Sequence, residues 1–248
     1  IKTIILSASL KKKFLIGFFI LITGCVSSAD HTSTIPDPFK KINKSTHEFN
    51  KSIDSTVILP ASDAYGSLTP ESIRTILSNF SSNLSEPLRF INHSLQGNLL
   101  EAGKTSMRFG LNTTFGLAGF FDVASYLEIY QEDTNFDTTL KTWNLPTGPY
   151  LELPFLGPSS LRGSIGTLIE FSLDPVSSNI NSAYNLAYYS TRGFDVLNMR
   201  YEFKDTIQSV LYDSFDSYES GKNYYLQKFE GVSLDNSEDE LFELYLSE

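Results

Sequence analysis

The chain has 248 residues, of which 41% are hydrophobic and 19% are charged, and its formal net charge is −10. This length suits one large or two modest domains with a sizeable core. The acidity argues against a basic nucleic-acid-binding surface and against electrostatic adhesion to anionic lipid headgroups. With three histidines and one cysteine, the composition also weighs against a His-rich metal site and a Cys/His nucleophile.

The N-terminus has the pattern of an export signal. Lys11–Lys13 precede a nine-residue apolar run, Phe14–Ile22, which is too short to span a membrane. We predict a signal peptide at residues 1–24. Ile22–Cys25 resembles the bacterial lipobox, so Cys25 is predicted to carry a diacylglycerol and to become the new N-terminus. A plain signal peptide, or a single membrane anchor with an incidental cysteine, is the alternative.

Polar segments flank the predicted folded body, which covers residues 37–230. Residues 25–36 are predicted to be a lipidated tether, and residues 231–248 an acidic, loosely ordered tail. By resemblance to enterobacterial lipoproteins, Val26 after the cysteine favours sorting to the outer membrane. Removing residues 1–24 would make the net charge −14. We therefore expect membrane contact to depend on apolar burial or on the covalent anchor.

The first helix of the body is predicted from an apolar stripe that follows Asp37-Pro38-Phe39. Its spacing is helical. The stripe has two interpretations: the buried face of an ordinary amphipathic helix, or the lipid-facing side of an interfacial helix. The stripe consists of Ile42, Thr46, Phe49, Ile53 and Val57.

Three more helices are predicted before residue 114. Thr69-Pro70-Glu71 is a strong helix start, with the threonine as N-cap, and the helix should end before Pro87. A second helix should stop at Gly97, and a third should begin at Asn98. The first of the three is expected to bury Ile73, Ile76, Leu77, Phe80 and Leu84.

The stretch from Arg108 to Ala124 is apolar but is interrupted by three glycines, by Asn112-Thr113-Thr114 and by Asp122. It is too short and too interrupted for a spanning helix. Each glycine in a helix interior costs roughly 1 kcal/mol relative to alanine. We therefore expect this segment to pack tightly against its neighbours at a membrane surface.

A second irregular apolar segment, Thr142–Gly163, contains four prolines that forbid a regular helix. It must be buried against protein or lie at a lipid boundary, because its backbone polar groups need partners. Ser159 is predicted to cap a helix that ends before Pro175. Residues 181–230 have a helical pattern rich in tyrosine, which suits either a membrane boundary or the edge of a helical bundle.

Taken together, several segments resemble the MlaA/VacJ family of outer-membrane lipoproteins. The resemblance covers about residues 37–228, with the blocks in the family's order. The matching blocks are Asp37-Pro38-Phe39 with Asn43 and Phe49-Asn50; Ser78–Leu84 with Glu86-Pro87; Leu95–Gly97; Arg108-Phe109, Leu111–Thr113 and Gly116–Ala124; Gly148–Tyr150, Leu153-Pro154, Gly157–Ser159 and Leu161-Arg162; and Asp174-Pro175.

The chain departs from the family pattern at a few positions. Lysine replaces the usual arginine at Lys44 and Lys228, and Gly163 stands where the family has an aspartate. Asn144 and Pro146 occupy places where glycine is frequent, so the loop around them should be stiffer than usual.

The resemblance implies an all-α, ring-like, membrane-embedded lipoprotein with an irregular proline-rich hairpin and an amphipathic lipid channel. Such a protein would lie in the inner leaflet of the outer membrane, facing the periplasm. It would remove mislocalised phospholipids from the outer leaflet and pass them to a periplasmic carrier of the Mla pathway. It would associate with trimeric porins and use no cofactor or metal. The candidate channel-lining residues are Asn112, Thr113, Phe115, Leu117, Phe120, Asp122, Leu145 and Tyr150.

Two other functions remain as alternatives: an envelope phospholipase and a purely structural lipoprotein. A phospholipase would need a nucleophile beside a base, and the chain contains no G-x-S-x-G motif. His93 is expected to be an ordinary residue on a helix surface. Glu132, Asp133 and Asp137 could be considered for calcium but are better interpreted as a solvated loop. We therefore predict no catalytic residues.

Overall fold

The structure, a computed structural model, describes residues 35–179 and 185–231. The signal peptide, Cys25, most of the tether and all but the first residue of the acidic tail lie outside these ranges. The described chain is mostly helical, as predicted. Its N-terminal half contains α1 (Lys40–Ile53), a π-helical turn (Asp54–Ile58), α2 (Leu59–Leu68), α3 (Glu71–Leu95), α4 (Leu99–Thr114), α5 (Val123–Tyr126) and α6 (Phe136–Thr142).

A two-stranded hairpin separates these helices from the second half of the chain. Strand β1 (Tyr150–Leu153) pairs antiparallel with β2 (Gly157–Ser160). The remaining helical segments are α7 (Leu161–Leu173), α8 (Pro175–Asn179), α9 (Asn185–Glu202), α10 (Lys204–Gln208), a π-helical turn (Ser209–Asp213), α11 (Ser217–Tyr225) and a last π-helical turn (Leu226–Glu230).

Helix α3 continues through Pro87 for 25 residues, so the break predicted before that proline is wrong. A proline inside a helix removes one backbone hydrogen bond. Tertiary contacts offset this cost, because Glu86 accepts from Arg108 and Asn83 donates to Thr113 on α4. The start at Glu71 is confirmed, although Pro70 takes the N-cap position and no side chain caps the helix.

The proline-rich segment forms the hairpin and the turns around it. Asn43 of α1 holds the hairpin as a neighbouring strand would, because its side chain donates to the Tyr150 carbonyl at 3.1 Å and accepts from the Glu152 N–H at 3.0 Å. Helix α7 ends before Pro175 as predicted, but its cap is Ser160 rather than Ser159, with the Ser160 side chain accepting from the Gly163 N–H.

Polar side chains fill much of the interior, while apolar side chains lie outside. On α1 the buried residues are Asn43 and His47, whereas Ile42 of the apolar stripe is 65% exposed. The stripe is therefore not the buried face of a helix on a soluble core. On α3, Ile73 is exposed, contrary to the prediction, and the other apolar residues expected inside are only half-buried. The buried residues of α3 are Ser81, Asn83, Glu86, Asn92 and His93.

The apolar core of the described chain is small and aromatic. Tyr150 of β1 packs with Tyr218, Tyr225 and Leu226 from the C-terminal helices. Within residues 35–179 and 185–231, no helix combines the length and the apolar character needed to cross a membrane.

Candidate functional site

The segment from Arg108 to Ala124 is organised around a buried guanidinium. Arg108 on α4 donates to Glu86 of α3 at 3.1 Å and to Asp122 at 3.1 Å, and it also reaches the Ile129 carbonyl at 2.5 Å. Burial raises the pKa of Glu86, although Arg89 and Arg108 oppose this effect. The guanidinium therefore ties α3, α4 and the loop before α5 together.

Asp122 is both an ion-pair partner and a helix cap. Its Oδ1 accepts from the Asn112 amide at 2.9 Å and from the Ser125 N–H at 3.2 Å. Burial tends to raise the pKa of this carboxyl group, but hydrogen bonds from Ser125, Asn112 and Arg108 outweigh it and hold the pKa below its usual range. Asn112 also accepts from the Ala124 N–H at 2.9 Å, so its side chain is fully engaged in holding the loop.

A left-handed turn lies between α4 and α5. Leu117, Ala118 and Gly119 have successive φ values of 52°, 62° and 97°, a conformation that is unfavourable for the two non-glycine residues. A Cβ atom on Gly119 would lie 2.4 Å from the Asn83 side chain, and one on Gly116 would lie 2.1 Å from a backbone oxygen. Two of the three glycines are thus close-packing positions, whereas the third, Gly110, has open space around it.

The outer face of this turn is apolar. Phe115 is 73% exposed and Leu117 is 64% exposed. Phe120 is only partly exposed, because its ring stacks on Phe80 with the centroids 4.8 Å apart. Thr113 is also exposed and accepts from the Asn83 amide at 3.0 Å. The segment therefore combines a buried polar network with an exposed apolar surface.

An open groove of ≈ 730 Å³ lies beside this network. Helix α3 lines one wall with Glu71, Ser72, Thr75, Ile76 and Asn79, and the other wall is formed by Phe121, Asp122, Ser125 and Tyr126. Of the predicted channel residues, only Asp122 lines the groove. The sequence did not predict the α3 wall, because no local pattern connects residues 71–79 with residues 121–126. The packing of α3 against α4 brings these two segments together.

Two predicted channel residues lie elsewhere. Tyr150 is fully buried and donates to Glu152 at 2.5 Å, and its burial raises the pKa of the phenol. Leu145 is half-buried near α6, where its N–H donates to the Leu140 carbonyl at 3.0 Å. The structure places neither residue in the groove wall.

Two histidines of the described chain, His47 and His93, are buried and bear on hydrolase chemistry. His93 is buried, not on the surface as predicted, and its Nε2 lies 3.3 Å from the Glu132 carbonyl oxygen. His47 lies between Ser217 Oγ, at 3.0 Å from Nε2, and Glu152 Oε1, at 3.4 Å from Nδ1. This order of groups resembles a Ser-His-acid triad. No local motif links positions 47, 152 and 217, so the sequence did not reveal it.

The triad-like cluster lacks other features of a hydrolase site. All three of its side chains are buried. The backbone amides that follow Ser217, those of Tyr218 and Glu219, are already bound by the Asp216 side chain, so they are not free to stabilise an oxyanion. Lys51 also donates to Ser217 at 3.3 Å. These contacts favour a structural role that joins α1, the hairpin and α11.

Two of the three acidic residues considered for calcium form ion pairs. Asp137, at the start of α6, pairs with Arg162 at 2.7 Å, and Asp133 pairs with Arg89 at 3.5 Å. In residues 35–179 and 185–231, no group of three or more His, Cys, Asp or Glu side chains could hold a metal ion.

Comparisons with known proteins agree with one another. The family model described as MlaA lipoprotein matches residues 35–231. The intermembrane phospholipid transport system lipoprotein MlaA of Escherichia coli is 30% identical over 217 residues, covering 86% of this chain and 84% of the relative. The Haemophilus influenzae protein of the same name is 29% identical over 182 residues, covering 71% and 73%.

A solved structure is also similar. It comes from work on the structural basis for maintenance of bacterial outer membrane lipid asymmetry. The TM-score is 0.67 with 28% sequence identity, and the match covers 79% of this chain and 98% of the solved one.

Proposed function

The chain belongs to the MlaA lipoprotein family, and from this premise we propose that it removes phospholipids mislocalised to the outer leaflet of the outer membrane and passes them to a periplasmic carrier. The proposed role is transport without a chemical reaction. It would serve the maintenance of outer-membrane lipid asymmetry, with which the similar solved structure is concerned. The relatives named MlaA are lipoproteins of an intermembrane phospholipid transport system.

The observation that carries this proposal is the distribution of polar and apolar side chains. A protein surrounded by water buries its apolar side chains and keeps charged ones outside. Here Glu86, Arg108 and Arg162 are buried, whereas Leu99 and Leu168 are exposed. Acyl chains would cover such a surface without exposing apolar area to water, and polar side chains would line the path of a headgroup. A ring-like body embedded in the inner leaflet fits this distribution.

The proposed lipid path runs along the segment from Asn112 to Asp122. Phe115, Leu117 and Phe120 would contact the acyl chains, and Thr113 and Asp122 would line the polar side. Asn112 would hold the Asp122 carboxylate in place through the hydrogen bond from its side-chain amide. Tyr150 and Leu145 would act indirectly, by supporting the hairpin and the loop before it.

The proposed function also includes a lipid anchor and protein partners. A lipidated Cys25 would hold the protein at the inner leaflet of the outer membrane, facing the periplasm. Trimeric porins would flank the protein, and a periplasmic carrier would receive the lipid.

The decisive experiment separates transport from hydrolysis. The purified lipoprotein is mixed with donor vesicles of defined phospholipid, and both protein-bound lipid and free fatty acid are measured by mass spectrometry. We expect intact bound phospholipid and no release of fatty acid. The Ser217→Ala variant should behave like the wild type. Release of fatty acid that is abolished by Ser217→Ala would replace this proposal with a phospholipase.

A further inference from the structure

We propose that the groove between α3 and α5 selects phospholipids with a zwitterionic, ammonium-bearing headgroup over anionic phospholipids. This inference rests on the proposed function and adds a headgroup preference to it. It follows from the charges of the groove wall. The described residues that line the groove include two carboxylates, Glu71 and Asp122, but neither a lysine nor an arginine.

The cations nearest in sequence to the groove residues already have partners, and one of these partners is Asp122 of the groove wall. Arg108 is buried and bound to Glu86 and Asp122. Arg74 lies on α3 next to groove residues, but it donates to the carbonyls of Gly66 and Thr69 and pairs with Glu202. Because Arg108 compensates Asp122, Glu71 is the groove carboxylate that has no ion-pair partner within the described residues. A headgroup with a net negative charge would meet this carboxylate, which is unfavourable.

An ammonium group would be bound more favourably. Glu71 is exposed and, within the described residues, has no ion-pair partner, so its carboxylate is free to face a cation. The ring of Tyr126, on the opposite wall, is 86% exposed and offers an aromatic face. A carboxylate and an aromatic ring together are the groups that recognise organic ammonium ions.

The rest of the wall suits the neutral and hydrogen-bonding parts of a lipid. The Ser72 hydroxyl lies beside Glu71 at the groove and can donate to a phosphate oxygen. Phe121 and Ile76 supply apolar surface for the glycerol backbone and the first carbons of the chains. A zwitterionic headgroup has no net charge, so it avoids the repulsion that an anionic headgroup meets here.

The test uses the purified mature lipoprotein with equal amounts of phosphatidylethanolamine and phosphatidylglycerol that carry the same acyl chains. Bound lipid is extracted and quantified by mass spectrometry, and phosphatidylcholine replaces the ethanolamine lipid in a parallel arm. The wild type should retain an excess of either zwitterionic lipid. Glu71→Lys should shift the ratio toward phosphatidylglycerol by about fivefold to tenfold, the scale of one reversed charge at a partly exposed site.

Two further variants make the result specific. Glu48→Lys makes the same charge change on the exposed side of α1, away from the groove wall, and should leave the ratio unchanged. Tyr126→Leu should lower retention of the zwitterionic lipid about twofold to threefold, because the ring no longer faces the ammonium group.

The possible outcomes distinguish the headgroup preference from the proposed transport function. A wild type that binds both lipids equally, or a Glu71→Lys variant that folds and binds with an unchanged ratio, would overturn the headgroup preference and leave transport intact. A wild type that retains no phospholipid in any arm would overturn the proposed function and this inference together.

Discussion

Arg108 and Asp122 are 14 positions apart in the chain, and the Arg108 Nη2 donates to the Asp122 Oδ2 at 3.1 Å. The same guanidinium binds Glu86 through Nε. One side chain therefore holds the long helix α3, the helix α4 and the loop that leads into α5. The exposed phenylalanines of the loop and the groove beside it both depend on this arrangement.

Replacing Arg108 with leucine should destabilise the fold by about 3–5 kcal/mol, because the buried Glu86 carboxylate loses its hydrogen-bonded cation and keeps only Arg89, 3.8 Å away. Urea unfolding followed by circular dichroism measures the loss. Burial already raises the pKa of Glu86, so the loss should shrink as the pH falls and this carboxyl group takes up a proton. Lys104→Leu removes a partly exposed pair on the same helix and should cost less than about 1 kcal/mol. Equal losses in the two variants would contradict the central role of Arg108.

Two glycines of the same segment should respond oppositely to alanine. Gly119→Ala should cost about 2 kcal/mol or more, because its φ is 97° and the new Cβ would lie 2.4 Å from the Asn83 side chain. Gly110→Ala should be neutral or stabilising by up to about 1 kcal/mol, since it lies inside α4 with no atom within 4 Å of the new methyl group. Thermal unfolding of both variants checks this, and a larger loss at Gly110 would show that the turn is not the constrained element.

Variants of Asn112 and Phe115 should have different effects: the first should lower the stability of the fold, and the second should slow lipid transfer. Asn112→Ala should cost about 1–3 kcal/mol, because it leaves the buried Ala124 N–H without its acceptor. Phe115 is 73% exposed, so Phe115→Ser should change the free energy of unfolding by no more than about 0.5 kcal/mol. It should nevertheless slow the transfer of fluorescent phospholipid from donor vesicles. Normal transfer by Phe115→Ser would remove this residue from the proposed path.

The predicted lipobox is tested by Cys25→Ala. Without the sulfur there is no acceptor for the diacylglycerol, so the variant should remain an unlipidated precursor and should be lost from the outer-membrane fraction. Metabolic labelling with a fatty acid and membrane fractionation measure the two effects, and replacing Thr23 with serine provides a control that keeps the cysteine. An acylated variant recovered normally from outer membranes would refute the prediction.

The free energy of unfolding should fall in alkaline solution, in a pH range set by the half-buried Tyr212 and the buried Tyr225. Burial and the hydrogen bond to Asp54 raise the pKa of Tyr212 to about 12. Burial also raises the pKa of Tyr225 to about 12. In the unfolded chain these phenols ionise near pH 10. Between about pH 10 and 12 the unfolded state therefore loses the protons first, and the free energy of unfolding should decrease.

The Tyr212→Phe variant isolates one of these phenols. Its urea unfolding midpoint should depend less steeply on pH between about 10 and 12 than that of the wild type. Tyr130→Phe changes a tyrosine that is 67% exposed and should follow the wild-type curve. Identical slopes for the wild type and Tyr212→Phe would show that this phenol keeps its ordinary pKa in the folded state.

The sequence predicted helix boundaries correctly where a proline, a glycine or a capping serine constrains the backbone. The start of α3 at Glu71, its end just before Gly97 and the start of α7 after the hairpin follow from Pro70, from a glycine that takes a positive φ and from a serine cap. The prediction was wrong at Pro87, because tertiary contacts offset the cost of a proline inside a helix. It was also wrong at His93, since nothing in the neighbouring sequence indicates which helix face is covered.

The sequence by itself determined the export signal pattern, the mostly helical fold with a proline-rich hairpin, and membership of the lipoprotein family. Hydrophobic periodicity also identified which apolar residues share a face, as with Ile42 and Phe49 on α1. Only the tertiary structure decided whether such a face points inward. Periodicity is the same for a helix that buries its apolar stripe in protein and for one that turns it toward lipid. On α3 and α4 the orientation follows from the buried ion pair between Glu86 and Arg108, because a buried charge is tolerated only where its partner meets it.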